Sequence, residues 1–345
     1  MKWGIKRLVS GRRADIFDLA TRRWEISPAE TINSPPAVYL EDALDHVVSL
    51  SPWRDWDSER PFLEGGPTVH AASEAFLIEN AEISGAFLYC GSAKEHPGYG
   101  PQHLTGGGAG PSVSLDEAHL VSNWASSNFF GLFMRASLPL EMLPAKDHQV
   151  IQMRTKTYGH EEGYRDLLSM PRPQEITRGR IKRLTIYKDF AHNASKVERY
   201  AELRRRLRAN LPDAGAAPPP GVYLKRGATG EQRVVTNEAE VEAALAALGF
   251  DVVEPAGLSP EEISRRCLNT PIVVSVEGSQ LGHAIYSIAD NGAFLVLQPP
   301  DRFAMAFKEF TDRRNITFAF TVGRPAQGGF RIDVDDLLRT LDLIS

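Results

Sequence analysis

Apolar residues after position 220 recur in short runs, and polar stretches with helical periodicity separate these runs. The runs lie at Val222–Lys225, Phe250–Val253, Ile272–Val276, Phe294–Leu297 and Ile316–Val322. Each run has the length and composition of a buried strand. The intervening stretches predict helices from Asn237 to Leu248, Ser259 to Leu268, Leu281 to Ala289, Phe303 to Asp312 and Val334 to Ile344. Strands that alternate with helices predict βαβ units and a parallel sheet.

The carboxyl ends of the five predicted strands carry mainly polar side chains. These ends fall near Arg226, Glu254, Glu277, Gln298 and Gly323. Because parallel strands end at one edge of their sheet, we expect several of these residues to lie close together. The segment Glu277–Gln280 stands where a strand ends and a helix is predicted to begin. Phosphate-bearing ligands bind at this position in open α/β sheets.

The chain before residue 212 shows less regular patterns. Strands are predicted in Ala75–Leu88 and Leu184–Tyr187, and helices in Asn123–Leu143 and Ser195–Leu211. The segment PDAGAAPPPG, Pro212 to Gly221, has the composition of a semi-rigid linker. We therefore predict an N-terminal domain of residues 1–211, a linker of residues 212–221 and a C-terminal domain of residues 222–345.

Composition narrows the class of protein. The chain has 345 residues and a net charge of −5, so a nucleic-acid partner is not expected. Two cysteines outside any C-x-x-C motif fit a reducing cytoplasm. No apolar run is long enough to span a membrane, and the basic start of the chain lacks the apolar core of a secretory signal. That basic start, with Lys2, Lys6, Arg7, Arg12 and Arg13, is either a solvated end or a peripheral contact with the inner membrane face.

Several motifs suggest chemistry that their context does not support. The glycine-rich Gly106–Gly110 lacks the Lys and Ser or Thr of a P-loop. Asp333-Val334-Asp335 resembles a metal-binding D-x-D, but it precedes a predicted helix and is explained better as a cap. Asp55-Trp56-Asp57 lies in polar chain that we expect to be irregular. We therefore expect no metal site and no cofactor.

A set of short motifs in the C-terminal half resembles a known enzyme family. The motifs are LKRG at Leu224–Gly227, RVVTNE at Arg233–Glu238, GF at Gly249–Phe250, VEGSQLGH at Val276–His283 and LVLQPP at Leu295–Pro300. Their order and spacing resemble glycosyltransferase family 61. Ser127–Leu143 is similar, less closely, to an N-terminal segment of that family. Two positions depart from the family pattern: Glu277 stands where the family has His, and Gln298 stands where it has an acidic residue.

The resemblance implies an α/β fold of GT-B type, with two Rossmann-like domains whose parallel sheets face a central cleft. It also implies a nucleotide-diphosphate sugar donor bound by the C-terminal domain and a glycan or glycolipid acceptor on the N-terminal side. Transfer with inversion and without a metal is typical of the family. We therefore expect a glycosyltransferase of surface polysaccharide biosynthesis, such as that of a bacterial capsule or exopolysaccharide, that is cytoplasmic and either free or membrane-associated. The alternative is a catalytically inactive protein of the same fold that binds glycans or nucleotides.

A diphosphate that leaves the sugar gains negative charge, and cations and N–H donors stabilise this charge. Arg226 and Arg233 are the predicted diphosphate cations, and surface salt bridges are the alternative. Glu277 is the predicted catalytic base, and a structural ion pair is the alternative.

The remaining donor-site candidates also have structural explanations. They are Asn237, Gly278, Ser279, Gln280, His283 and Gln298. Asn237 could cap a helix, and His283 could be packed within one. Gly278 and Ser279 could form an ordinary turn or offer backbone N–H groups to phosphate. Gln298, with an amide that can bond a hydroxyl, is predicted to contact the nucleoside.

Overall fold

The computed structural model describes residues 14–100, 112–153, 155–211, 217–227 and 232–345. These residues form two compact units. The first unit comprises Met1–Glu30, Ala71–Glu161 and Met170–Tyr200, and the second comprises Thr31–His70, Glu162–Ser169 and Ala201–Ser345. The predicted division at residues 212–221 stays a prediction, and residues 212–216 of that linker lie outside the described residues. The glycine-rich segment 106–110 and the basic residues before position 14 also lie outside them.

Strands and helices of the described residues are numbered in chain order. The strands are β1 Arg22–Ser27, β2 Glu30–Ser34, β3 Gly66–His70, β4 Ser73–Ser84, β5 Phe87–Cys90, β6 Ala93–Glu95, β7 Val113–Leu120, β8 Val150–Gln152, β9 Gln174–Glu175, β10 Arg178–Lys188, β11 Val222–Leu224, β12 Asp251–Val253, β13 Ile272–Val276, β14 Ala293–Gln298, β15 Thr317–Val322, β16 Arg324–Ala326 and β17 Gly329–Arg331. The α-helices are α1 Trp56–Glu64, α2 Trp124–Asn128, α3 Phe130–Leu132, α4 Leu138–Leu140, α5 Glu161–Leu167, α6 Ala194–Asn210, α7 Glu238–Ala247, α8 Pro260–Arg266, α9 Lys308–Arg313 and α10 Val334–Asp342. Short 3-10 helices span Ile16–Leu19, Ala43–His46, Pro255–Gly257 and Ser279–His283, and Phe133–Ser137 forms a π-helical turn.

The first unit contains a mixed sheet in the order β6-β5-β4-β10-β7-β8-β9, with β1 paired to β4. β4 is antiparallel to β10, and the strands from β10 through β7 and β8 to β9 run parallel. Buried residues of the long strands β4 and β10, including Ile78, Ile83 and Leu184, belong to its apolar core. The predicted helix Asn123–Leu143 is interrupted, because Phe129 adopts extended backbone angles between α2 and α3.

The second unit contains the parallel sheet that the C-terminal sequence predicts. Its order is β12-β11-β13-β14-β15, and every neighbouring pair is parallel. β13 and β14 are buried along their whole length, as expected for strands that helices or loops cover on both faces. The chain passes outward from β11 to β12 and then returns to β13. The topological switch point therefore lies between the carboxyl ends of β11 and β13.

Two predicted helices of the second unit are shorter than the sequence suggests. Leu281–Ala289 is replaced by the 3-10 helix Ser279–His283 and turns, and Phe303–Asp312 is reduced to α9. In the second case the backbone of Phe303 bonds to Ser49 and Ser51 rather than within a helix. These bonds hold the loop between β14 and α9 in a non-helical path.

Residues 31–70, which we call the edge segment, extend the second unit beyond β15. The Val38 N–H donates to Phe318 O at 2.9 Å, and the Phe320 N–H donates to Val38 O at 3.0 Å. Within this segment, Asp55 caps α1 in a reciprocal capping box with Ser58. The prediction of irregular chain around Asp55 was therefore wrong. In the part of the chain that the structure describes, no helix has the length and apolarity needed to cross a membrane.

Candidate functional site

The carboxyl ends of β11 and β13 bring Arg226 to the turn after β13. Arg226 lies two residues beyond β11, and Glu277 follows β13 directly. The Arg226 Nη1 donates to Gln280 Oε1 at 2.9 Å and to the Glu277 carbonyl at 3.3 Å. The predicted meeting of Arg226 with the segment Glu277–Gln280 is therefore present at the switch point of the sheet.

Arg233, from the loop that follows β11, contacts the same turn. Its Nη1 donates to the Glu277 carbonyl at 2.6 Å and pairs with the Glu277 carboxylate at 2.8 Å. Both side chains of this ion pair are only 10 % exposed. Two guanidinium groups thus converge on one peptide carbonyl, and one of them also neutralises the adjacent carboxylate.

Burial governs the protonation of Glu277. Loss of solvent raises the pKa of the Glu277 carboxyl above its ordinary value of 4.5, although the positive charges of Arg233 and Arg226 oppose the rise. The charges of Arg302 and Arg54 act in the same direction as those two arginines. Glu277 is therefore a carboxylate whose ionisation depends on the guanidinium groups around it.

Gln280 fixes the turn from the inside. Its Nε2 donates to Ser275 Oγ at 3.1 Å and to the Val276 carbonyl, and Ser275 Oγ in turn donates to Leu224 O at 2.6 Å. This chain of bonds joins the ends of β11 and β13. It also orients the Gln280 carbonyl oxygen toward Arg226.

Gly278 allows the arginines to lie against the backbone. Its φ of +150° belongs to a region that residues with a side chain rarely adopt. A Cβ atom here would lie 1.9 Å from the Arg226 Nη1 and 2.7 Å from the Arg233 Nη1. The close approach of both guanidinium groups therefore requires glycine at this position.

We expect the substitution Gly278→Ala to destabilise the protein by about 1–3 kcal/mol, because it combines backbone strain with displacement of Arg226. The measurement is urea-induced unfolding. Gly257→Ala is the matched control, since a Cβ there meets no atom within 4 Å and its φ is not positive. The control should change stability by less than about 0.5 kcal/mol. Equal stabilities for the two variants would contradict the packing described for Gly278.

Three other predicted residues are bonded to parts of the fold rather than to the arginines. Gln298 is fully buried, and its amide donates to Ala304 O at 2.8 Å and accepts the Ala304 N–H at 3.3 Å. His283 Nδ1 lies 2.8 Å from the hydroxyl of Tyr164 in a buried contact. These bonds therefore join Gln298 to Ala304 and His283 to Tyr164, and none of them involves Arg226 or Arg233.

Asn237 is the third of these residues. It occupies the N-cap position of α7, but its side chain makes no cap bond. Instead its amide donates to Ile332 O at 2.9 Å and accepts the Ile332 N–H at 3.0 Å. The structural alternative, in which this side chain caps the helix, was therefore wrong, because the side-chain oxygen accepts from Ile332 rather than from the helix. The donor-binding role of Asn237 stays a prediction.

Sequence reasoning missed three charged residues whose positions depend on the edge segment or the loop after β14. Arg54 pairs with Glu59, and Glu59 also accepts the Met305 N–H. Arg302 lies in the same loop as Met305. One sequence signal could have indicated burial of Glu59. Asp55 and Ser58 have capping-box spacing, and the helix that they begin places Glu59 one turn before the buried Leu63.

The second unit, with an all-parallel sheet and helices between its strands, has an α/β fold, and two arginines lie at the switch point of that sheet. The family model of Glycosyltransferase 61 matches residues 111–295, and the chain belongs to this family. The match includes the Arg226, Arg233 and Glu277 positions and ends before Gln298. No curated protein matches the chain. The family identifies the protein as a glycosyltransferase in general terms.

Acidic, histidine and cysteine side chains are the groups that could ligate a metal ion. Within residues 14–100, 112–153, 155–211, 217–227 and 232–345, these side chains form no group of three that could hold one. The expectation of a reaction without metal or other cofactor stays a prediction.

Proposed function

We propose that the protein transfers a sugar from a nucleotide-diphosphate donor, bound at the carboxyl edge of the second unit's sheet, to a glycan acceptor. One observation carries this proposal: Arg226 and Arg233 converge on the Glu277–Gly278 peptide at the topological switch point. In α/β sheets this is where phosphate-bearing ligands bind. Membership of the Glycosyltransferase 61 family supports sugar transfer as the reaction.

The proposed role of the two arginines is to neutralise the departing diphosphate. Guanidinium groups offer several N–H donors in a planar fork and stay charged at any physiological pH. On donor binding, Arg226 and Arg233 would exchange their bonds to Gln280 and Glu277 for bonds to phosphate oxygens. The backbone N–H groups of Gly278 and Ser279 would add neutral donors beside them.

Glu277 is the proposed catalytic base. Its carboxylate would take the proton of the acceptor hydroxyl while that oxygen attacks the anomeric carbon of the donor sugar. The bond from the anomeric carbon to the diphosphate oxygen breaks, and its electron pair leaves with the diphosphate. A single displacement of this kind inverts the anomeric configuration.

The other candidate residues receive supporting roles in the proposal. Gln298 would act on the nucleoside through the loop that it holds by both bonds to Ala304. His283 and Asn237, bonded to Tyr164 and Ile332, would keep the neighbouring turns in position. The GT-B arrangement, an acceptor on the N-terminal side and a place in surface polysaccharide assembly at the inner membrane face belong to this proposal as well.

A catalytically inactive binding module is the second candidate, and the Arg233–Glu277 ion pair favours it. In this pair the Glu277 carboxylate already neutralises Arg233, the cation that a diphosphate would need. A module of this kind would bind a glycan or nucleotide without breaking the sugar–phosphate bond.

A thermal-shift screen with uridine, guanosine, cytidine and thymidine diphosphate sugars tests the proposal. We expect one nucleotide class to stabilise the protein, by about 2.7 kcal/mol at about 100 times its dissociation constant. That donor should also be hydrolysed slowly, and Glu277→Ala should lose hydrolysis while it retains binding. Stabilisation without turnover would support the binding module. No stabilisation by any of these donors would contradict both candidates as nucleotide-binding proteins.

A further inference from the structure

The edge segment contributes a second buried ion pair near Glu277. Arg54 Nη1 lies 3.2 Å from Glu59 Oε1, and Glu59 Oε2 accepts the Met305 N–H at 2.8 Å. Glu59 is fully buried, whereas the Arg54 side chain keeps 25 % of its surface exposed. The pair therefore consists of a buried carboxylate and an arginine side chain that is partly exposed to solvent.

Burial of a carboxylate costs free energy unless the carboxylate is paired with a cation and hydrogen-bonded. Burial raises the pKa of Glu59, and the charge of Arg54 opposes this rise. Both oxygens of Glu59 are engaged, one by Arg54 and one by the Met305 N–H. Glu59 therefore ties the start of α1 to the loop after β14 and holds Arg54 in one orientation.

Arg302 reaches the same region from the loop after β14. Its backbone N–H donates to Pro299 O at 3.3 Å, and the Val48 and Ser49 N–H groups both donate to Pro300 O. These bonds fix the loop that carries Arg302 against the edge segment. The charges of Arg302 and Arg54 both act to lower the pKa of Glu277, which places both guanidinium groups within electrostatic reach of that carboxylate.

The loop after β14 lies beside the Glu277 turn, because the Glu277 N–H donates to Leu297 O at 2.9 Å and β14 ends at the next residue, Gln298. Arg302 belongs to that loop, and Glu59 ties Arg54 to Met305 of the same loop. Two further arginines therefore lie at the carboxyl edge of the sheet that carries Arg226 and Arg233. A diphosphate bears negative charge on each of its phosphates, which guanidinium groups at this edge would stabilise.

We propose that Arg54 and Arg302 are further diphosphate-binding residues, and that Glu59 is a positioning residue that orients Arg54 toward the ligand. The inference rests on the proposed function and adds residues to the proposed diphosphate site. Arg54, Glu59 and Arg302 lie outside the family match, which covers residues 111–295. The partly exposed side chain of Arg54 would contact the ligand from the edge segment, and Arg302 would contact it from the adjoining loop.

Titration calorimetry of the full chain with inorganic pyrophosphate tests this proposal. We expect Arg54→Gln to weaken binding by about tenfold or more, because it removes a charged hydrogen-bond donor. Arg60→Gln is the matched control, since Arg60 is an exposed arginine on α1, and it should bind like the wild type. The double variant Arg54→Gln/Glu59→Gln removes both charges of the pair, so it keeps the proposal testable if the single variant fails to fold. It should bind as weakly as Arg54→Gln.

Glu59→Gln separates positioning from simple electrostatics. Loss of a nearby negative charge alone would strengthen binding of pyrophosphate, whereas loss of the orientation of Arg54 would weaken it. We expect weaker binding. Unchanged or tighter binding in Glu59→Gln would overturn the positioning role, and wild-type affinity in Arg54→Gln would overturn the role of Arg54.

Arg302→Gln tests the remaining cation in the same titration, and wild-type affinity would remove it from the site. The variant Arg226→Gln distinguishes failure of this inference from failure of the proposed function. If Arg226→Gln loses pyrophosphate while Arg54→Gln and Arg302→Gln bind normally, the inference fails and the proposed function stands. If the wild type binds neither pyrophosphate nor any sugar nucleotide, both fail together.

Discussion

The substitution Arg233→Met should lower the free energy of unfolding by about 3 kcal/mol or more and weaken pyrophosphate binding by about tenfold or more. The stability loss follows because Glu277 would keep a buried charge without its ion-pair partner, a change that typically costs about 3–5 kcal/mol. Arg226 remains nearby and bonds the Glu277 carbonyl, so the low end of that range applies. Urea-induced unfolding and titration calorimetry measure the two effects.

Two variants show whether the buried charge causes the loss of stability. Arg233→Met/Glu277→Gln removes both charges and should recover most of the stability while binding stays weak. Arg331→Met breaks an exposed pair with Glu240 and should cost less than about 1 kcal/mol. A stable Arg233→Met single variant would mean that Glu277 does not depend on this ion pair.

The parallel sheet of the second unit was predictable because its signals are local. The strand at Val222 is apolar throughout and the strand at Ile272 is apolar except for Ser275, and Ser259 and Glu262 form the capping box that begins α8. Alternating strands and helices then dictate parallel pairing, so the meeting of Arg226 with Glu277 followed from topology. This part of the candidate site needed no knowledge of distant contacts.

The edge segment was not predictable because its position depends on backbone bonds between residues far apart in sequence. Val38 bonds to Phe318 and Phe320, and no local pattern specifies that pairing. Arg54 and Glu59 reach the site through these contacts. The sequence therefore offered no prediction for Arg54 or Glu59, and it predicted irregular chain for the adjacent Asp55, where α1 begins.

The hydrogen-bond partners of individual side chains were also not predictable from the sequence. Asn237 stands at a helix start, where capping is the commonest role, but the nearby Ile332 backbone takes both its polar atoms. Gln298 ends a strand at the predicted edge, and its amide bonds to Ala304. The position of each residue was predictable, whereas the direction of its bonds depended on loops that lack a sequence pattern.

Glu277→Gln should have opposite effects on turnover and on ligand binding. Loss of a general base reduces turnover by about 10²–10⁴-fold. Pyrophosphate binding should instead become tighter by about tenfold, because the variant removes the protein's own anion from Arg233. Turnover is measured with the donor found in the nucleotide screen, and binding is measured by calorimetry. Weaker pyrophosphate binding in Glu277→Gln would mean that Glu277 does not compete with the ligand.

The pH dependence of turnover provides the matching test in the wild type. Burial raises the pKa of Glu277 above 4.5, so the base is protonated and inactive over a range in which an ordinary glutamate would be ionised. Turnover should therefore rise with pH through that raised pKa, and the acid limb of the profile should lie above pH 4.5. The stability that Glu277 contributes depends on pH in the opposite direction. It is fully present below pH 4.5 and is lost as pH rises through the raised pKa. Both dependences should disappear in Glu277→Gln, and an acid limb that persists in the residual turnover of this variant would assign the base to another residue.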